Sequence, residues 1–124
     1  QETIAVSTLI FGGVLNRHPK LDVWISHGGG AIPMLASRLA VAAKNRPWAS
    51  ESIKKDGAFE ELIQRIWYDS HVTDLNALEL LKKWVGNEKI VYGTNFAGWD
   101  HVPNKNHFTP DPQWSNNARK LLRR

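Results

Sequence analysis

At 124 residues, with 42% hydrophobic and 23% charged side chains, the chain has the size and composition of one small soluble domain. It has no cysteine, which removes disulfides, thiolate metal sites and cysteine nucleophiles and fits a cytoplasmic protein. No run of about 20 apolar residues exists, so a membrane span is excluded. The formal charge of +4 admits an anionic partner. Arg119, Lys120, Arg123 and Arg124, however, cluster at the C-terminus as the solvated face of a terminal helix. No zinc-finger or RNA-binding signature accompanies the other cations, so nucleic acid is not an expected partner.

The chain opens on Gln1-Glu2, without an initiator Met or a basic leader, and reads as the continuation of something longer. Residues 3–15 are apolar nearly throughout and too long for one strand, so a buried helix is expected, ended by Asn16-Arg17-His18-Pro19. Leu21–Ser26 reads as a first strand, and a helix begins at about Ala31 with Pro33 in its first turn. Its expected stripe is Leu35, Leu39 and Ala42, with Ala36 and Ala43 beside it. A polar connector over 45–57 precedes a brief helix, Ala58–Arg65. Ile66–Ser70 is the second predicted strand, and Thr73 or Asp74 caps a helix with the stripe Leu75, Leu78, Leu81 and Val85, closed by Gly86. Lys89–Thr94 is the third, and a loop over 95–112 leads to the terminal helix.

Strict alternation of helices and apolar strands predicts parallel βαβ units, an α/β fold. Three strands leave two open edges, and the long apolar first helix also asks for neighbours. The expectation is a single incomplete domain over 1–124, inactive and prone to associate by itself.

In parallel α/β folds chemistry gathers at the carboxyl ends of the strands. His27, the segment Asp69 to His71, and Thr94-Asn95 should therefore share one rim. His27 ahead of Gly28-Gly29-Gly30 suits a general base or a metal ligand, or merely a polar cap for the next helix. An oxyanion hole would need a nucleophile elbow, which is absent, and no dinucleotide or Walker pattern supports phosphate binding. Asp69 and His71 are expected to face different sides, with His71 making a local loop hydrogen bond. Arg38 reads locally as a solvated helix arginine. Asp100, His101 and His107 match no metal spacing, and Trp24, Trp67, Trp84 and Trp99 read as core or rim packing.

The runs GGVLNRHPKLDVWISHGGGAIPMLASRL and WYDSHVTDLNALELLKKWVGNEKIVYGTNF resemble the amidohydrolase-related family typified by aminocarboxymuconate-semialdehyde decarboxylase. The resemblance covers residues 3 to about 99. It implies a partial TIM (β/α)8 barrel holding about the last three β/α units, with a divalent metal, commonly zinc, at the rim. It implies a hydrolase or decarboxylase acting on a small carboxylated compound, in a homodimer. By position, His27 matches the acid/base histidine. Arg38 matches an arginine that reaches a neighbouring subunit's site and grips a substrate carboxylate. Asn95 stands where the family has a metal-binding aspartate. A neutral amide can offer an oxygen but cannot accept a proton. That departure leaves three readings: another acid such as Asp100, weak metal binding with chemistry through His27, or a catalytically silent barrel that serves as a binding subunit.

Overall fold

The computed structural model describes residues 1–101 and 109–123. The order is α1 (Glu2–Phe11), α2 (Val14–Arg17), β1 (Trp24–Ile25), α3 (Ile32–Asn45), α4 (Ala58–Arg65), β2 (Trp67–Asp69), α5 (Leu75–Val85), β3 (Ile90–Val91) and α6 (Pro112–Leu121). The strands form one parallel sheet in the order β1-β2-β3, with Trp24 beside Trp67 and Tyr68 beside Ile90. The expected α/β alternation is therefore present among the described residues. The strands are shorter than their apolar runs, most of all β1 and β3, which have a ladder partner on one side only. The hydrogen bonding still continues past the ends, Trp67 N–H donating to the Val23 carbonyl at 2.8 Å and Ser70 N–H to that of Val91 at 2.9 Å.

The single buried helix expected over 3–15 is two helices. Gly12 and Gly13 end α1, with Gly13 at φ +69°, and the Arg17 guanidinium donates to the freed Gly12 carbonyl at 2.7 Å. Val6, Ile10 and Leu15 are buried while Ile4 is 71% exposed, because a core this small covers one face of an all-apolar helix. On α3 the buried line is Ile32, Ala36 and Ala43, and Leu35 lies outward. The small alanines set the packing face there, so the real stripe is turned one residue from the expected one.

Phe59, Leu62 and Ile63 of α4, Leu78, Leu81 and Val85 of α5, and the β2 residue Tyr68 complete the core. Each such side chain contributes about 1.5–3 kcal/mol by leaving water. Asp74 caps α5, its Oδ1 accepting from Asn76 and Ala77 N–H at 2.7 and 3.1 Å, and Gly86 ends the helix at φ +81°. At the other sheet edge α6 lies against β3, and the buried Asn117 amide donates to the Ile90 carbonyl at 2.7 Å. The terminal helix is thus solvated on one face and docked on the other. No helix among the described residues is long and apolar enough to cross a membrane.

Candidate functional site at the strand rim

All three strands point the same way, so the segments that leave their carboxyl ends emerge on one rim. After β1 the backbone turns through four consecutive left-handed residues, His27 at φ +51° and Gly28, Gly29 and Gly30. The space is closed as well. A Cβ on Gly28 would meet Val72 Cγ2 at 2.5 Å, and one on Gly29 would meet the Tyr68 ring at 2.7 Å. Only glycine satisfies both demands. His27 itself occupies a sparsely populated conformation, which persists where neighbours over-determine it.

Asp69 is that neighbour. It ends β2, is buried, and its Oδ1 accepts from Gly28 N–H at 3.0 Å and His71 N–H at 3.1 Å. One carboxylate oxygen thereby fixes the backbone beside both histidines. Their rings lie 5.4 Å apart between centroids.

The imidazoles meet carboxylates on both sides. His27 Nδ1 lies 3.1 Å from Glu2 Oε1, at the start of α1. A carboxylate only accepts, so Nδ1 donates the proton in this bond, and the ring's other nitrogen, Nε2, is turned into the cleft. Glu2 is held down to about 2, first by its own backbone N–H and then by the bond from His27. His71 Nε2 lies 3.2 Å from Asp100 Oδ2, and His27 Nε2 lies 3.8 Å from the same oxygen. Partial burial raises the Asp100 carboxyl, but hydrogen bonds from the Asn95 amide, from His71 and from its own backbone N–H outweigh it, and the net displacement is downward. Donor atoms of His27, His71 and Asp100 all fall within 4.8 Å of one another. They open onto a cleft of about 470 Å³ whose walls include Glu2, Met34, Leu80 and Trp99.

The rim convergence read from the sequence is present, and several particulars change. Residues two apart on a strand share a face, so the expected divergence of Asp69 and His71 had no basis in the pleat. β2 in fact stops at Asp69, whose side chain turns back to the two amides while the His71 ring goes to Asp100. The contact of His71 is not local, since its partner is 29 residues away. Asn95 lies on the rim at φ +48°, with its amide engaged by Asp100. Arg38 is on the exposed face of α3 and does not line the cleft. His101 bonds the Thr94 carbonyl at 2.8 Å and closes its own turn, and His107 lies outside the described residues. Of the tryptophans expected to pack, Trp67 is buried, whereas Trp24 and Trp99 are exposed. Glu2 was not legible as a site residue, because nothing local to Gln1-Glu2 shows that α1 starts beside the β1 turn.

The amidohydrolase family matches the chain over residues 1–109. A 2-amino-3-carboxymuconate-6-semialdehyde decarboxylase of Dictyostelium discoideum is 34% identical over 93 residues, which is 75% of this chain and 26% of that protein. The protein of the same description from Caenorhabditis elegans is 38% identical over 92 residues, 74% of this chain and 23% of its own length. A 2-keto-4-carboxy-3-hexenedioate hydratase of a Sphingobium species is 27% identical over 97 residues, 78% of this chain and 26% of that enzyme. The chain spans about a quarter of the length of these relatives. With the family matched over most of its length and its rim residues gathered at one cleft, the chain belongs to the amidohydrolase family.

Proposed function

We propose that this chain forms the last three β/α units of a (β/α)8 barrel, and that the whole protein is a metal-assisted hydrolase or carboxy-lyase acting on a small carboxylated compound. The observation that carries the reading is His27, oriented through Nδ1 by Glu2 with Nε2 facing the cleft, beside His71 and Asp100. The names of the relatives, two decarboxylases and a hydratase of polycarboxylated compounds, support the substrate class.

The rim fits a divalent cation. It offers imidazole nitrogen and carboxylate oxygen together, a donor set that suits zinc, and His71 and Asp100 would hold the ion. Such an ion supplies Lewis acidity toward a substrate oxygen. The chain's own residues do the rest. His27 takes and returns a proton at Nε2, and Glu2 fixes its tautomer and steadies the imidazolium as it forms. Met34, Leu80 and Trp99 give the cleft apolar walls against which a small organic acid can shed water. Arg38, exposed on α3, grips a carboxylate in a homodimer's neighbouring site through its forked donors.

The test is a carboxylated-aromatic substrate panel run on the whole barrel and on its His27→Asn variant. A general acid/base contributes roughly 10²–10⁴ in rate, so kcat should fall by at least about a hundredfold with KM little changed. Turnover by the variant at the full rate would remove His27 from the chemistry. The absence of turnover across the panel would favour the second reading, a silent barrel, which Asn95 in place of the family's acid also supports.

A further inference from the structure

We propose that the metal's carboxylate ligand on this chain is Asp100, five residues beyond the position the family resemblance indicates, with His71 as its partner ligand and Asn95 reduced to a positioning residue that aims Asp100. This rests on the reading that the rim takes a divalent ion.

The geometry separates the three donors. Around a tetrahedral ion bound at about 2.0–2.1 Å, neighbouring donor atoms stand roughly 3.3 Å apart. His71 Nε2 and Asp100 Oδ2 are 3.2 Å apart, so the two atoms already stand at the spacing an ion would need in place of the hydrogen-bonded proton, the imidazole proton passing to Nδ1. His27 Nε2 is 3.8 Å from that oxygen, beyond a tetrahedral edge and beyond hydrogen-bond range. It stands at the ion's border, where a molecule held there can be protonated. The carboxylate of Asp100 is divided accordingly: Oδ2 faces the histidines and Oδ1 takes the Asn95 amide.

That division explains what an amide is doing on a rim where the family has an acid. Two carboxylates at positions 95 and 100 would repel each other, whereas an amide N–H donor fixes the one that remains. Asn95 is also suited to its backbone, since at φ +48° asparagine is tolerated far better than branched residues. The 95–100 turn closes with Gly98 N–H donating to the Asn95 carbonyl at 2.8 Å, which carries Asp100 back over the rim toward His71.

The experiment is cobalt(II) titration of the whole barrel, read by calorimetry for affinity and by the visible d–d absorption for the ligand set, with circular dichroism confirming that each variant keeps the fold. Asp100→Asn and His71→Ala should each weaken binding at least tenfold and move the absorption band. Asn95→Gly, which suits the same backbone and removes the amide, should weaken binding a few-fold and leave the band in place, the signature of a residue that positions a ligand without being one. His27→Ala should keep the band and change affinity by less than about threefold. Binding that survives both Asp100→Asn and His71→Ala would overturn the assignment while leaving a metal-dependent function standing. A loss in His27→Ala as large as in those two, or a shifted band in Asn95→Gly, would also overturn it. No cobalt or zinc uptake by the folded barrel would remove both the assignment and the metal from the proposed function.

Discussion

The two ends of β3 are finished by the same kinds of side chain and to opposite purposes. Before the strand, Trp114 Nε1 donates to Asn87 Oδ1 at 2.8 Å, and the Asn117 amide donates to the Asn87 and Ile90 carbonyls at 2.9 and 2.7 Å. Both α6 residues are buried. After the strand, Asn95 and Asp100 are partly open to solvent, the backbone is left-handed at Asn95, and the Asn95 amide holds the Asp100 carboxylate that bonds the His71 imidazole. Amides at the amino end close a packed edge and protect strand carbonyls from water. Those at the carboxyl end hold acids and bases in a cleft. In parallel sheets with helical crossovers the carboxyl rim is where residues are free to serve chemistry, and the opposite end serves stability.

The contrast between the two ends breaks most readily at Trp114. Trp114→Ala removes a buried indole and its bond to Asn87, and core truncations of this size cost about 3–5 kcal/mol. Urea unfolding should show that loss, while cobalt affinity of the barrel that remains folded stays unchanged. A loss under about 1 kcal/mol would mean that α6 does not buttress the sheet.

Asp69 sharpens the contrast because it lies on the rim and is nonetheless buried. Asp69→Ala strands the Gly28 and His71 amides, at about 1–3 kcal/mol for buried donors left unpaired. It should also release the left-handed turn at His27, visible as moved imidazole resonances for both histidines. Asp69→Asn keeps an Oδ1 acceptor in place and should restore most of the stability and both resonance positions. If the asparagine variant behaves like the alanine one, the negative charge rather than the two amide contacts is what matters.

How far these features could be read from the sequence depends on whether they are local. The βαβ alternation, the Asp74 cap and the Gly86 stop are set by neighbours in the chain, and the structure shows each of them. The split of the first helix was signalled by Gly12-Gly13 and hidden by apolar residues on every side of it. The stripe on α3 was misplaced because alanine's burial depends on what packs against it, not on its own hydrophobicity. At the site, His27 and the rim were legible because a strand end is a local event. Glu2, Asp69 and Asp100 were not assigned their contacts, since these join residues 25, 41 and 29 positions apart, and only the folded chain brings them together.

Glu2 offers a smaller effect with a definite sign. Its carboxyl titrates near 2 in the fold against an ordinary 4.5. A depressed value means that the folded state favours the ionised form, so the contribution is complete above about pH 4.5 and lost as the pH falls through about 2. A carbon-detected NMR titration should place the Glu2 midpoint near 2, and His27→Ala should raise it. A midpoint at the ordinary value in the intact chain would show that α1 does not orient His27, and the tautomer argument would fall with it.

Arg38 should give the smallest effect of all within this chain, and that is its interest. It is exposed on α3 and away from the cleft walls, so Arg38→Ala should change stability by no more than about 0.5 kcal/mol and leave cobalt binding untouched. If it serves a neighbouring subunit's site, the same substitution in the whole dimeric barrel should raise KM for a carboxylated substrate at least tenfold, since a forked guanidinium contact to a carboxylate is among the strong ones. Mixing Arg38→Ala subunits with His27→Asn subunits decides between the two positions. Each homodimer is then impaired, but a mixed dimer contains one site with both an intact His27 and an Arg38 contributed from across the interface. Recovery of activity on mixing requires that arrangement, and an arginine acting in its own subunit would give none.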